Sequence, residues 1–546
     1  MAVTYFAATG SDTLGNGTMG SPYQTSAKFN AMQATRTVGD IFNFNGGDTF
    51  TGELLPASDV TIQSYGTGDA IFTLAPLTGW SGPTGGVYSK SISVHAGTMI
   101  FYEDLVPQLP MASSSACSDG KWYADSTANT LYYKPTSGSP TTHSITYGQL
   151  GTQPGYIPLI DVTGLSGVNI LNVQLTSAGI GIKSYETTST AGTSDITVQG
   201  CTFYYCQRAI FMMPGPNGNT NMTVQNNFFY YCQNAINMYT WIAEGLNSGS
   251  TYGTNSGCNI IGNTGTGIGT IDGTTQWTIG GSNGDFEFIG LNNFMNGTIQ
   301  GNITTGGHHI GLSWYNVETR ESSNNTIKSN KFISTGKEGC ILTGNNPGGV
   351  YNYAYNNNMF CNNVFAYTDV DTAGVLAGAF NIFQGTLASS QNYLVNNTFV
   401  GNQNNWYLAL TNAPYFTIQN NIVYNSGATR WTAWFTSKPA TLTVDYNLYY
   451  EDGSNTGGAS GGFTFNFAGR SLATMQGLGM ENHSIVGSDP KFNNPGSNDY
   501  TLQLGSPAID AGVSVGIPYK GTAPDLGAFE YTPSSLIPFF GPIGFV

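Results

Sequence analysis

Residues 366–374, AYTDVDTAG, contain Asp369 and Asp371, the only charged side chains between Gly339 and Thr429. Two carboxylates two positions apart share a face if the segment is extended. Neighbouring carboxylates also drive their proton affinities apart, so that one stays protonated near neutral pH and can act as a general acid. Upstream, residues 318–338 hold Glu318, Arg320, Glu321, Lys328, Lys331, Lys337 and Glu338, a dense group for a chain that is 9% charged. Glu338, Asp369 and Asp371 are therefore the candidate catalytic residues: one acid, and one base or nucleophile. Bland readings stay open beside this one. Asp371 also suits a turn cap ahead of Gly374, the aspartates could hold calcium, and Glu338 could pair with Lys337 or Lys331 on a solvated edge.

Around these carboxylates, Arg208, His309, Arg320 and Lys337 are candidates for binding substrate hydroxyl or carboxylate groups, with His308 and His309 equally readable as a polar turn. Trp314, Tyr315, Trp406 and Trp241 are candidates for stacking against a flat apolar face of a ligand. The seven cysteines lack C-x-x-C spacing, which argues against zinc and a redox dithiol. No metal site is assigned and no cofactor is required.

What could position such residues is a repeat. ITVQGCTFYYCQRAIFM (196–212) and MTVQNNFFYYCQNAINM (222–238) match along their length. Looser copies place a short alternating strand before an asparagine and a second strand after it. The asparagines at 227, 263, 302, 330, 363, 397, 421 and 447 lie 24 to 39 residues apart, the signature of a solenoid that tolerates loop insertions. Three short strands per coil make the expected fold an all-β parallel β-helix, with coils about 4.8 Å apart. Counting from the ladder, Asn330 plus eight is Glu338, Asn363 plus eight is Asp371, Asn302 plus seven is His309, and Cys201 plus seven is Arg208. Each then precedes the third strand of its coil (EGCIL, TAGVL, HIGLS, RAIFM), which predicts one column and one groove.

Composition sets outer bounds. The net charge is −15 without a basic run, so a nucleic-acid groove is not expected. The apolar stretches fall short of the roughly 20 residues a membrane helix needs, and no export signal is visible at the start of the chain.

With the repeats, the opening TYFAATGSD…VGDIFNFNGGDTFTGEL and the closing LQLGSPAIDAG…APDLGAFEY, the sequence resembles the right-handed parallel β-helix, pectate-lyase-like superfamily, which includes polysaccharide lyases, glycoside hydrolases and phage tailspike depolymerases. The resemblance implies an amino-terminal cap with first coils (1–75), an irregular β insertion or early coils (76–150), the β-helix with the site (151–489) and a carboxy-terminal capping segment (490–546). It also implies a secreted or virion-associated enzyme that degrades a polysaccharide, a glycoside hydrolase first. The alternatives are a calcium-dependent lyase of the same fold and a non-catalytic glycan-binding or structural fibre protein. Some tailspike depolymerases similarly draw one glutamate and two aspartates from neighbouring coils, and a homotrimer follows from that analogy alone.

Overall fold

The computed structural model describes residues 1–92, 99–149, 158–185, 192–238, 253–272, 286–317, 321–335, 339–345, 354–367, 378–382, 390–401, 406–410, 415–424, 431–433, 438–450, 463–465 and 468–533. The chain is a parallel β-helix. Two sheets of 13 strands and a third of 12 run its length, successive coils adding one strand to each. One coil shows the order: Thr223–Gln225 in the first sheet, Phe228–Tyr230 in the second and Asn234–Met238 in the third.

Alternation along these short strands sends every second side chain inward. In the first sheet the inward column is Ile170, Val198, Val224, Ile260, Ile299, Ile327, Phe360, Leu394, Ile418 and Val444, in unbroken register. The second sheet stacks aromatic rings instead. Phe203 lies on Phe229 with centroids 4.9 Å apart, and Phe365 on Phe399 at 5.4 Å. Each fully buried side chain of this size contributes about 1.5–3 kcal/mol, and the continuous column, more than any one residue, holds the solenoid together.

The expected asparagine ladder fills the corner between the first two sheets, and all eight members are buried. Each Oδ1 accepts from the backbone N–H and the Nδ2 of the preceding member, as Asn330 does from Asn302 at 3.0 and 2.9 Å. Each Nδ2 also donates to a main-chain carbonyl of the preceding coil, as Asn330 does to Ile299 at 2.9 Å. These buried amides are therefore satisfied by one another. The residue just before the ladder position takes a left-handed conformation, as at Asn226, Ser329, Asn362, Asn396 and Asn420. Asparagine tolerates that conformation better than most residues, which is why the corners read as paired asparagines.

The ends are closed differently. At the start, the helix Ser26–Met32 drops Phe29 onto Phe42 and Phe6. At the far end the plug is the helix Leu472–Gly477 with Met475 and Met480, both wholly buried in the main core. The described part of the segment from about 490 does not cap the open end, contrary to the expectation. Its Phe492, Tyr500, Leu502, Ala508, Leu526 and Ala528 cover outward Ile333, Val364, Ala366, Ile422 and Leu448 of the second sheet. The reason lies in the closing motif. Carboxylates of Asp510, Asp525 and Glu530 accept main-chain N–H groups of Thr522, Asp510 and Lys520, which folds the segment into a strap laid back over earlier coils.

The described residues of the segment 76–150 form two small antiparallel sheets around Phe101, Trp122, Leu131, Tyr133 and Ile145. This insertion docks on the corner leading into the third sheet, where the Tyr102 hydroxyl donates to the carbonyls of Ala178 and Tyr205. All cysteines are free, and all but Cys117 are buried. Burial pushes Cys201 and Cys258 up to about 12, as expected of packing thiols.

Candidate functional site

The outward face of the third sheet gathers the polar groups that a regular solenoid would not need. In register, Ile180 pairs with Arg208 and Arg208 with Asn234. On the next strand Glu287 pairs with Ile310, and its backbone N–H donates to Asn234 Oδ1 at 2.7 Å. A second outward column runs Lys183, Phe211, Asn237, Gly290, Ser313.

Between these columns sits Glu287, only 1% exposed. Asn237 Nδ2 donates to its Oε2 at 3.0 Å and Ser313 Oγ to its Oε1 at 3.2 Å. Asn237 and Ser313 alternate with the core residues Ile236 and Leu312 and point outward, and the carboxyl group bonded to both lies on that side, strict alternation being broken after Glu287 where Phe288 and Ile289 both enter the core. A buried, oriented carboxyl group of this kind can give or take a proton. On the same face the Arg208 guanidinium lies 4.5 Å from the Phe211 ring centroid. Ile180, Phe211 and Met213, with Tyr185 against them, form an apolar strip, and Lys183 pairs with Asp161 at 2.8 Å. Ile180, Phe211, Met213 and Glu287 are each 1% exposed, so of this group the half-buried Arg208, Lys183 and Tyr185 are the side chains a substrate could meet. The insertion flanks it through the corner at Ala178 and Tyr205.

Of the residues singled out from sequence, only Arg208 is placed by its described side chain on this face. Glu338, Asp369, Asp371, Arg320, Lys337 and Trp241 lie outside the described residues, as do the side chains of Tyr315 and Trp406. The described strand that continues the third sheet in the coil of Asn363 is Gly378–Ile382, paired through Cys340 and Phe380. The charge concentration is dispersed. Lys328 belongs to the first sheet, whereas Lys331 lies on the second with its ammonium 5.0 Å from the strap's Phe529 ring centroid.

Two further expectations are corrected. Trp314 is wholly buried, donates from Nε1 to Ser322 Oγ at 2.9 Å and meets Phe294 and Tyr355 edge-on. With no exposed ring face it packs the core and does not stack on sugar. His309 is also wholly buried, its Nε2 3.0 Å from the Thr304 hydroxyl. Thr304 occupies a column that carries Phe229 two coils earlier and Phe332 in the next, and the smaller side chain leaves room for the imidazole inside. Burial lowers the His309 pKa to about 3, so it is a neutral interior group.

Glu287 itself was missed. Its coil places the third strand 24 residues after Asn263 (263 to 287), beyond any fixed count from the ladder. The available signal was a lone glutamate inside the apolar alternation FEFIGL.

Comparison with known proteins returned no matching family model and no matching curated sequence. Similar solved structures include XylC in complex with xylose (11% identity, 90% of this chain and 87% of that one, TM-score 0.47). Pectate lyase Pel9A matches at 14% identity over 97% of both chains, with TM-score 0.39. A GH136 lacto-N-biosidase from Eubacterium ramulus matches at 9% identity, covering 89% of this chain and 68% of that one, with TM-score 0.42. At these identities and scores the matches say nothing of function, and the parallel β-helix rests on the sheet topology of the chain itself.

Proposed function

We propose that this chain is a polysaccharide-degrading enzyme whose substrate lies along the outward face of the third sheet and is cut by glycoside hydrolysis. The observation that supports this most is Glu287, a carboxyl group buried on the outer side of the sheet and held by an amide and a hydroxyl, within a face that also carries Arg208 over Phe211. In this reading Glu338, Asp369 and Asp371 remain the proposed acid, base or nucleophile. Glu287 joins them as a further proton-transfer candidate, and Arg208, Arg320, Lys337, Tyr315, Trp406 and Trp241 are proposed to contact the chain. No cofactor is needed for hydrolysis. Its place of action is proposed to be extracellular or on a virion.

A lyase is the second reading, favoured by the two cations, Lys183 and Arg208, on the same face. They would suit a uronate, whose carboxylate calcium could neutralise before a base removes the neighbouring proton. One experiment separates the readings: incubation with capsular, plant and algal polysaccharides, followed by mass analysis. Products heavier by one water indicate a hydrolase and unsaturated ends a lyase. No cleavage across the panel overturns the enzyme reading and leaves a glycan-binding or fibre protein.

A further inference from the structure

The insertion carries a second cluster of chemistry, apart from the third-sheet face. Glu103 and Asp104 end one strand of a hairpin, and His143 returns beside them from the other end of the insertion. His143 Nδ1 lies 2.7 Å from Asp104 Oδ2 and 3.3 Å from Glu103 Oε1. One ligand-capable atom from each of the three lies within 4.8 Å of the others.

How the three are held matters more than their proximity. His143 and Asp104 are anchored by their far atoms, His143 Nε2 lying 2.8 Å from the Ser137 carbonyl and Asp104 Oδ1 accepting the Ser144 N–H at 2.8 Å, whereas Glu103 accepts the Thr136 N–H and hydroxyl on Oε1, the oxygen that also faces His143. A backbone carbonyl on one imidazole nitrogen is what orients the other toward a metal. The wholly buried Tyr133 hydroxyl lies beside Glu103 with no partner at hydrogen-bonding geometry, so a polar atom besides the three ligands faces the cluster. Asp104 is 56% exposed, which gives an ion its path in.

We propose that Glu103, Asp104 and His143 form a binding site for a divalent transition-metal ion such as Zn2+, through one oxygen from each carboxylate and Nδ1 of the imidazole. Nitrogen with carboxylate oxygen is a donor set zinc accepts at about 2.0–2.2 Å, whereas calcium prefers an all-oxygen shell. The next residue, Leu105, offers its carbonyl to Ser177 Oγ of the β-helix at 2.7 Å. An ion here would therefore brace the insertion where it meets the solenoid.

The test is calorimetric titration of the full chain with Zn2+, and with Ca2+ as control, alongside melting curves. One Zn2+ per chain is expected, with a raised melting temperature and binding at least about tenfold weaker in Asp104→Asn and in His143→Gln. Asp104 is surface-exposed, so its variant keeps the test valid if the histidine variant fails to fold. No stoichiometric Zn2+ binding, binding unchanged in Asp104→Asn, or tighter binding of Ca2+ than Zn2+ would overturn the proposal.

Discussion

The outward faces of the second and third sheets arise from the same alternation but are used in opposite ways. On the second sheet, outward residues of the later coils are apolar, Ile333, Val364, Ala366, Ile422 and Leu448, and the strap buries them. On the third, they include Arg208, Asn234, Asn237, Glu287 and Ser313, a polar set fixed by mutual hydrogen bonds. The inward columns of both sheets are largely hydrophobes, with Gly265 and Thr304 as the exceptions beside His309. In a solenoid, then, the core says little about function, and the informative residues are outward ones that depart from their neighbours.

Substitution should separate the two faces. The largest effect is expected for Glu338→Gln, Asp371→Asn and Glu287→Gln. Each should lower turnover about 10²–10⁴-fold on the identified polysaccharide, if it transfers a proton, with little change in melting temperature. A variant that keeps full activity removes that residue from the mechanism. On the strapped face the opposite split is expected: Leu526→Ala should cost about 2–5 kcal/mol in denaturant unfolding and leave kcat unchanged. A drop in kcat without loss of stability would erase the distinction between the faces.

A pH series sharpens the comparison at the end of the ladder, inside the core. There Asn447, Tyr449 and Ser484 donate to the wholly buried Glu481. Burial raises its pKa to about 7, against the lowering effect of those hydrogen bonds. A raised carboxyl pKa means that the neutral form is favoured on folding. Its stabilising contribution is full below about pH 4.5 and is lost as pH rises through about 7, by at most about 3 kcal/mol. Glu481→Gln should flatten that part of the melting-temperature profile between pH 4.5 and 8, and an unchanged profile would assign the titration elsewhere. The smallest effects come last. Arg208→Ala should raise KM more than it lowers kcat, whereas His309→Gln, inside the core, should leave both constants unchanged; weaker substrate binding by that variant would return His309 to the groove.

These contrasts also mark what could be read from the sequence. The ladder was legible because its corner is geometrically fixed: a left-handed residue followed by an inward amide, the same in every coil from Asn227 to Asn447. The third sheet was not, because the chain between the second and third strands varies. From the ladder position to the start of the third strand is 7 residues at Asn227, 8 at Asn302 and 24 at Asn263, that is 227 to 234, 302 to 310 and 263 to 287. A ruler fixed to the ladder therefore points correctly at Arg208 and misses Glu287. Trp314 was misread for a related reason: without the strand's start, the inward and outward phases cannot be told apart. The strap was recognisable as a closing motif, yet its docking face depended on outward apolar residues scattered across four coils.

The strap also changes how this molecule should come apart. Ladder bonds join residues 24 to 39 apart, each coil holding only its neighbour, which would let terminal coils peel away one at a time. The strap's bonds span far more: Ala528 to Thr398 across 130 residues and Asn396 to Asp525 across 129. The last coils cannot fray until the strap lets go, and once it has, several lose their cover together. Unfolding from this end should accordingly be a single cooperative event, with hydrogen exchange at Asn397, Asn421 and Asn447 sharing one opening free energy.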